Sequence, residues 1–448
     1  MEHNNYKSWL PGNFRNMPQM AALPEELKFD IDVVSSVLPF KANQYVVEEL
    51  IDWSNIPADP IYTLVFPRRE MLSAAQYDEM ATLLRAGADK QVIRSAANRI
   101  RMQLNPHPAG QIDHNVPTLN NELLHGVQHK YRETVLFFPS QGQTCHAYCT
   151  FCFRWPQFVG MADLKFASRE INSLVAYLKQ QPQVTDVLFT GGDPLIMSAK
   201  NIAPYIDALL DDELAHIRRI RIGTKALTYW PYRFTSDKDS DDLLAIFRRV
   251  KAAGKHLAFM AHINHPRELQ PQPVADAIER ILGAGAVIRS QSPLLRHIND
   301  DPAAWSLMWN RQVELGCVPY YMFLARDTGA REFFSVPLVA AWDIFRKAYQ
   351  NVSGLARTVR GPSMSATPGK VQVLGVTEAG GEKVITMRFL QGRNPDWVHR
   401  PFFAAYNDQA TWMDELKPAF GAEKFFFEDE LDNTFHQHID DSTSDDFE

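Results

Sequence analysis

The chain has 448 residues, with 46 Lys and Arg against 53 Asp and Glu, for a net charge of −7; that length leaves room for about two or three domains and a sizeable core. An acidic balance without a Lys/Arg run offers no electrostatic footprint for nucleic acid. No window reaches the apolar length of a membrane span and MEHNNYKSWLPGNFRNM lacks a signal-peptide layout, so no membrane partner is expected and a cytoplasmic location is.

In chain order, residues 1–130 read as a mainly helical region. SAAQYDEMATLLRAG (73–87) and KQVIRSAANRIRMQL (90–104) repeat apolar residues at helical spacing, and NPHPAGQIDHNVPTLNN (105–121) reads as a loop. From Thr134 one theme recurs: a short β-rich apolar run, a polar loop, then a helical segment. The runs are TVLFF (134–138), DVLFTG (186–191), IRIGT (220–224), LAFMAHI (257–263), AVIRSQ (286–291) and VPYYMFL (318–324). The helical segments include SREINSLVAYLKQ, AKNIAPYIDALLDDE, DDLLAIFRRVKAAG, PVADAIERILGAG and PLVAAWDIFRKAYQ. Such β-α units in series predict parallel strands joined by helical crossovers, as an α/β barrel or a doubly wound sheet. Six units rather than the eight of a full barrel point to a partial (β/α)6 parallel barrel over 131–370. A small mixed region follows over 371–427, and 428–448, free of Lys and Arg, is expected to be an acidic flexible tail.

Functional groups in such folds gather at the C-terminal ends of the strands. Only four cysteines occur, and three of them, Cys145, Cys149 and Cys152, follow the first run with the spacing C-x3-C-x2-C, which is no disulfide framework. Three thiolates can hold three irons of a [4Fe–4S] cube and leave the fourth open to a small molecule binding through nitrogen and oxygen. A structural zinc wants four ligands, and no further cysteine pair lies nearby. Cys317, in LGCVPYYMF, reads as a small buried hydrophobe. The second run ends in Thr190-Gly191-Gly192-Asp193-Pro194-Leu195, whose glycines let the backbone approach a ligand closely; alone, the pair reads first as an ordinary βα turn.

The cysteine spacing, with Phe151 before the last cysteine and the triad placed after the first strand, resembles the radical S-adenosylmethionine superfamily. That resemblance implies that Gly191, Gly192 and Asp193 bind the methionyl amine of S-adenosylmethionine. Further segments, GGDPL, RIGTKALTYWPYRFT (221–235), AHINHP (261–266), SQSPLLRHIND (290–300), VPYYMF (318–323) and SGLARTVRGPSMSATPGK (353–370), resemble the lysine 2,3-aminomutase family in order and spacing. The likeness covers about residues 110–390.

The resemblance implies an isomerase that uses a [4Fe–4S] cluster, S-adenosylmethionine and pyridoxal 5′-phosphate (PLP) to move an amino group between neighbouring carbons of an amino acid. Lys370 falls on the family's PLP lysine, although the family usually shows a longer glycine run than the Ser-Ala-Thr-Pro-Gly found here. His129-Lys130-Tyr131-Arg132 resembles a segment that contacts PLP, which implies roles for Lys130, Tyr131 and Arg132; a solvated charged loop is the other reading. Arg154 matches the arginine that grips the α-carboxylate of the substrate, and His262 and His265 are implied to line the S-adenosylmethionine site, with polar packing as the alternative.

Lysine-specific members recognise the distant ammonium with two aspartates, at positions that here hold Arg326 and Ser363. A cation there repels lysine and attracts an acidic side chain, and glutamate 2,3-aminomutases resemble this arrangement. Asp327, beside Arg326, could return a carboxylate to the pocket or pair with the arginine. The family further implies an electron donor such as flavodoxin or ferredoxin and a homo-oligomer, while the C-terminal zinc cysteines of lysine-type members have no counterpart after Cys317. The alternatives are lysine as substrate, a radical enzyme that does without PLP, and an iron–sulfur electron-transfer protein.

Overall fold

The computed structural model describes residues 6–105, 115–160, 167–168 and 170–433. Most of the Pro-rich loop after residue 105 and the expected tail from residue 434 onward lie outside the described residues. The beginning of that tail, 428–433, is helical, and Glu430 accepts from Trp397 Nε1 at 2.7 Å and from Asn394 Nδ2 at 2.9 Å.

Eleven strands form one sheet in sequence order. They are β1 (Val127–Tyr131), β2 (Thr134–Phe137), β3 (Asp186–Phe189), β4 (Arg219–Thr224), β5 (His256–His262), β6 (Val287–Leu294), β7 (Val318–Leu324), β8 (Arg360–Ser365), β9 (Gly369–Ala379), β10 (Glu382–Gly392) and β11 (Pro401–Ala405). β2 to β8 run parallel, β1 pairs antiparallel at one edge, and β9 to β11 continue antiparallel at the other. The predicted runs are β2 to β7. The further parallel strand, β8, is spelled RGPSMS, a composition poor in β-formers, and is held by ladders on both sides.

Helices Ile171–Lys179, Ala199–Ala208, Ser240–Ala252, Gln272–Gly283, Pro302–Glu314 and Leu338–Gln350 make the crossovers. Each buries one stripe, as Val274, Ala277, Ile278 and Ile281 do at helical spacing. Successive crossover helices touch directly or through an intervening turn and so cover one face. An order that never reverses is not that of a doubly wound sheet, where reversal places helices on both faces. Strand alternation sorts the side chains: Phe259 of β5 packs on Phe247 of Ser240–Ala252, while its neighbours Ala258 and Met260 line a cavity on the other side.

That other side is the hollow of a curled sheet. Lys130 Nζ on β1 donates to Ala366 O just beyond β8 at 2.6 Å, whereas a flat sheet would hold these strands about 34 Å apart. Among the described residues the curl is not closed by a ladder, since β1 and β11 are its two edges.

The N-terminal region is mainly helical, with Glu25–Ser35, Pro60–Val65, Ala74–Arg85 and Lys90–Leu104. The boundaries expected at 130 and 370 do not separate units, because β1 and β9 run across them and one apolar core extends from Trp9 to Phe427. Cys317 is buried in that core. No helix of the described residues is long and apolar enough to cross a membrane.

Candidate active site

The cysteine loop leaves the C-terminal end of β2 and presents Cys145, Cys149 and Cys152 as half-buried free thiols. Burial raises the pKa of all three, Cys149 to about 12, and neighbouring sulfurs add to the rise at Cys145 and Cys149. Thiols so placed ionise readily only against cations set among them, which suits iron ligands better than free thiolates. Among the described residues no three His, Cys, Asp or Glu side chains converge on one ion, and a cube asks for no such point because each cysteine takes its own iron.

The N-terminal region fixes this loop. Lys41 Nζ donates to Cys145 O at 2.7 Å, Tyr6 OH to His146 O at 2.5 Å, Tyr148 N to Lys41 O at 2.8 Å and Thr150 N to Leu64 O at 2.9 Å. No local pattern in the sequence announces these bonds, since each joins positions far apart in the chain.

Gly191 and Gly192 press against the same loop. A Cβ on Gly192 would stand 2.4 Å from Thr144 O, and one on Gly191, at φ +143°, would stand 2.3 Å from Gln143 Nε2. The close approach expected toward a ligand is thus made first to protein, where Asp193 N donates to Thr144 O at 2.7 Å. The buried carboxylate of Asp193 accepts from Thr224 Oγ1 at 2.8 Å and from the backbone N–H groups of Leu195, Lys225 and Ala226 at 3.0, 2.9 and 3.1 Å. It ties the β3 loop to the end of β4. At the end of β5, His262 Nε2 lies 2.7 Å from Gln291 Nε2, and burial pushes the ring's pKa down to about 3, so it is neutral and can accept from the amide. His265 caps a turn instead, its Nδ1 accepting from Arg267 N at 3.2 Å.

Arg154 and Arg326 share the ring of Phe153, with guanidinium carbons 5.1 and 5.3 Å from its centroid. Arg154 also lies 4.3 Å over Phe138, and among the described residues no carboxylate pairs with it. Burial pulls its pKa down to about 10, which leaves it charged near neutrality. Arg326 Nε lies 3.7 Å from Asp327 Oδ1, beyond hydrogen-bond reach, and is a buried donor without a partner. The fully buried Ser363 spends its hydroxyl on Met322 O at 3.4 Å.

Lys370, at the start of β9, places Nζ 4.2 Å over the Tyr321 ring and 5.4 Å over Phe323, and donates to Gln391 Oε1 at 3.1 Å. Burial, then Arg221 and Arg360, bring its pKa down to about 7, so much of the amine is neutral and nucleophilic at physiological pH. A Cβ on Gly369 would stand 2.3 Å from Gln391 O. One glycine therefore suffices for the β9–β10 approach that delivers this lysine, and the shortened glycine run leaves the amine no less placed.

Lys130 and Tyr131 face the same region, whereas Arg132 is exposed on the turn between β1 and β2, as the solvated-loop reading has it. The Lys130 ammonium is disfavoured by burial and then by Arg393, Arg326 and Lys370, and its amine is occupied by Ala366 O. Reasoning from sequence missed Phe153, Tyr321, Gln391 and Arg393. Phe153 had a signal, lying between Cys152 and Arg154; Gln391 and Arg393 had none, because β10 brings them in from beyond the resembling stretch.

No protein-family model matches the chain. In sequence it is 30% identical over 393 residues to "Putative L-lysine 2,3-aminomutase" of Aquifex aeolicus, covering 88% of this chain and 91% of that one. It is 28% identical over 229 residues to L-lysine 2,3-aminomutase of Acetoanaerobium sticklandii, covering 51% and 52%, and 22% identical over 395 residues to that of Methanococcus maripaludis, covering 86% and 79%. Among solved structures, a radical SAM methyltransferase from Sphaerobacter thermophilus aligns with a TM-score of 0.38 and 15% identity over 66% of this chain and 94% of that one.

Proposed function

The chain belongs to the lysine 2,3-aminomutase family of radical S-adenosylmethionine isomerases, and we propose that it moves the amino group of an acidic, glutamate-like α-amino acid from Cα to Cβ. One observation carries the choice of substrate: two half-buried guanidiniums share the Phe153 ring, and Asp327 is the one carboxylate beside them among the described residues. A dicarboxylic amino acid offers one carboxylate to each. Arg154, next to the cysteine loop, takes the α-carboxylate, and Arg326 takes the side-chain carboxylate. Lysine would set an ammonium against Arg326, in a place where screening by water is weak.

In this reading Cys145, Cys149 and Cys152 hold the [4Fe–4S] cluster, the Gly191–Gly192 backbone and His262 border S-adenosylmethionine, and Lys370 holds PLP with Tyr131 against it. When bound, these groups supply a carbon-centred radical that removes a hydrogen atom and a carbonyl carbon that carries the migrating nitrogen. The protein's own part is placement. Arg154 fixes the Cα–Cβ bond relative to the cysteine loop, since a bidentate guanidinium sets both position and orientation of a carboxylate. Lys370 needs no base to become nucleophilic, because its amine already lies near its titration point at neutral pH. The buried Phe138 and Trp412 beside the two arginines keep water from the reacting carbons. A neutral His262 offers no proton to a radical centre.

The test is anaerobic incubation of the reconstituted protein with glutamate, aspartate and lysine separately, with chromatography for β-amino acids. β-Glutamate as the main product is expected. Turnover of lysine alone overturns the substrate, and purified protein that never takes up PLP overturns the aminomutase reaction. The electron donor is expected to be a flavodoxin or ferredoxin, checked by which of them supports turnover in place of a chemical reductant.

A further inference from the structure

Beneath Lys370, toward the N-terminal ends of the parallel strands, the hollow of the sheet contains a cavity of about 430 Å³. Adjacent strands β3 to β8 all line it, with Asp186, Arg221, Ala258, Arg289, Tyr320 and Arg360 among the contributors, and the exposed Arg219 stands at its mouth. Four guanidiniums thus meet one carboxylate. Asp186 takes Arg221 Nε at 2.7 Å, and Arg219 donates to Thr185 Oγ1 at 3.1 Å. Arg289 and Arg360 make neither a hydrogen bond nor an ion pair through their side chains with the described residues. Their guanidinium carbons lie 4.9 and 4.2 Å from the Tyr320 ring centroid.

Like charges gathered in a cavity repel one another unless an anion stands between them. Arginines laid on a ring keep their N–H forks free at the edge, and those forks match the oxygens of a phosphate. The volume is that of a small-molecule site rather than of one ordered water. The cavity also adjoins the reactive amine: Arg360 lies 4.6 Å from the Tyr321 ring, over which Lys370 Nζ stands at 4.2 Å. Lys130, a cation the resemblance implies contacts PLP, is instead tied to Ala366 O.

We propose that this cavity binds a phosphate dianion between Arg289 and Arg360, with Arg221, steadied by Asp186, as the third donor. Two sources share that chemistry, the 5′-phosphate of PLP whose aldehyde meets Lys370 and free inorganic phosphate. The first rests on the reading of Lys370 given above; the anion site itself does not.

The experiment titrates the purified full-length chain and its Arg289→Gln, Arg360→Gln and doubly substituted forms with inorganic phosphate by calorimetry, and with PLP and phosphate-free pyridoxal by absorbance. Phosphate is expected to bind the wild type and to bind the double variant at least tenfold more weakly. PLP affinity should fall at least tenfold while pyridoxal affinity stays unchanged, and phosphate should compete with PLP but not with pyridoxal. Loss of phosphate binding with PLP unaffected, or with no PLP bound even by the wild type, keeps the anion site with free phosphate as its ligand and, in the second case, sinks the reading of Lys370. Equal binding of phosphate and of PLP by wild type and double variant overturns the site. A footprint on the wild type removes any dependence on variant folding: phosphate should protect Arg289 and Arg360 from phenylglyoxal, read by mass spectrometry, and absence of protection also overturns the proposal.

Discussion

Replacing Lys370 by methionine should make the PLP-free protein more stable, because the lysine is held where its charged form is unwelcome. Its pKa falls from an ordinary 10.5 to about 7 through burial and then through Arg221 and Arg360. At pH 8 the unfolded lysine is protonated and the folded one mostly neutral, so folding must release a proton, at a cost of up to roughly 3 kcal/mol at about 1.4 kcal/mol per pH unit. Methionine has a similar length and nothing to titrate; the lost bond to Gln391 returns roughly 1 kcal/mol, leaving a gain of about 2 kcal/mol. Spread over the unfolding entropy of a chain this long, that gain is about 2 °C in Tm. The pH dependence is the sharper part. Between pH 7 and 10.5 the unfolded chain holds a proton that the folded chain lacks, so wild-type stability rises with pH and the gap to Lys370→Met narrows; below about 7 both states are protonated and the gap is widest. Scanning calorimetry of both proteins from about pH 6.5 to about 9.5 measures this. A variant no more stable than wild type, or a gap that does not move with pH, would mean that Nζ stays charged in the folded protein and that the amine is not prepared for an aldehyde.

Arg326→Asp should invert the substrate preference, lowering kcat/KM for glutamate by about a hundredfold, as breaking a weakly screened charge pair does, and bringing lysine turnover above background; unchanged selectivity in competition assays would remove Arg326 from the pocket. Arg154→Ala should cost a similar factor on every amino acid, with Arg154→Lys recovering only part of it because an ammonium cannot grip a carboxylate bidentately; isothermal titration of the amino acid into PLP-loaded protein reads the binding part directly. Gly192→Ala should displace the cysteine loop, since its Cβ would stand 2.4 Å from Thr144 O, and iron content after anaerobic reconstitution should fall well below wild type; full iron loading with the usual cluster spectrum would show that the loop can give way. Cys149→Ser should leave the fold in place and lose the [4Fe–4S] signal in electron paramagnetic resonance.

What could be read from the sequence was whatever is local. The cysteine spacing, the runs that became β2 to β7 and the position of Lys370 are all written in consecutive residues. What escaped depends on curvature and strand parity. Gly191 and Gly192 stand at the end of the second run, but a sequence cannot say that their missing side chains make way for Gln143 and Thr144. Nor does the sequence say that Asp193 is engaged by Thr224 and three backbone N–H groups. β8 was hidden because RGPSMS carries no strand signature and owes its form to its neighbours. The arginines of the cavity lie far apart in the sequence, on β4, β6 and β8, and only side-chain alternation together with the curl of the sheet turns them toward one another.

The curl also bears on how Lys370, in the proposed reading, would reach both ends of the hollow. The parallel strands send their C-terminal loops, with the three thiols, Gly191–Gly192 and His262, to one end of the hollow, and Arg221, Arg289 and Arg360 toward the other. Lys370 enters from β9, which runs antiparallel and so descends from the first end toward the second. Its Nζ reaches Tyr321, one ring away from Arg360. A parallel strand at that place would expose its loop residue at the rim; the antiparallel turn after β8 is what lets a long side chain point down into the hollow. In the proposed reading, hydrogen-atom abstraction at the first end and phosphate binding at the second would be separated by the length of the cofactor, and Arg289 and Arg360 lie at the end of the hollow opposite the three cysteines.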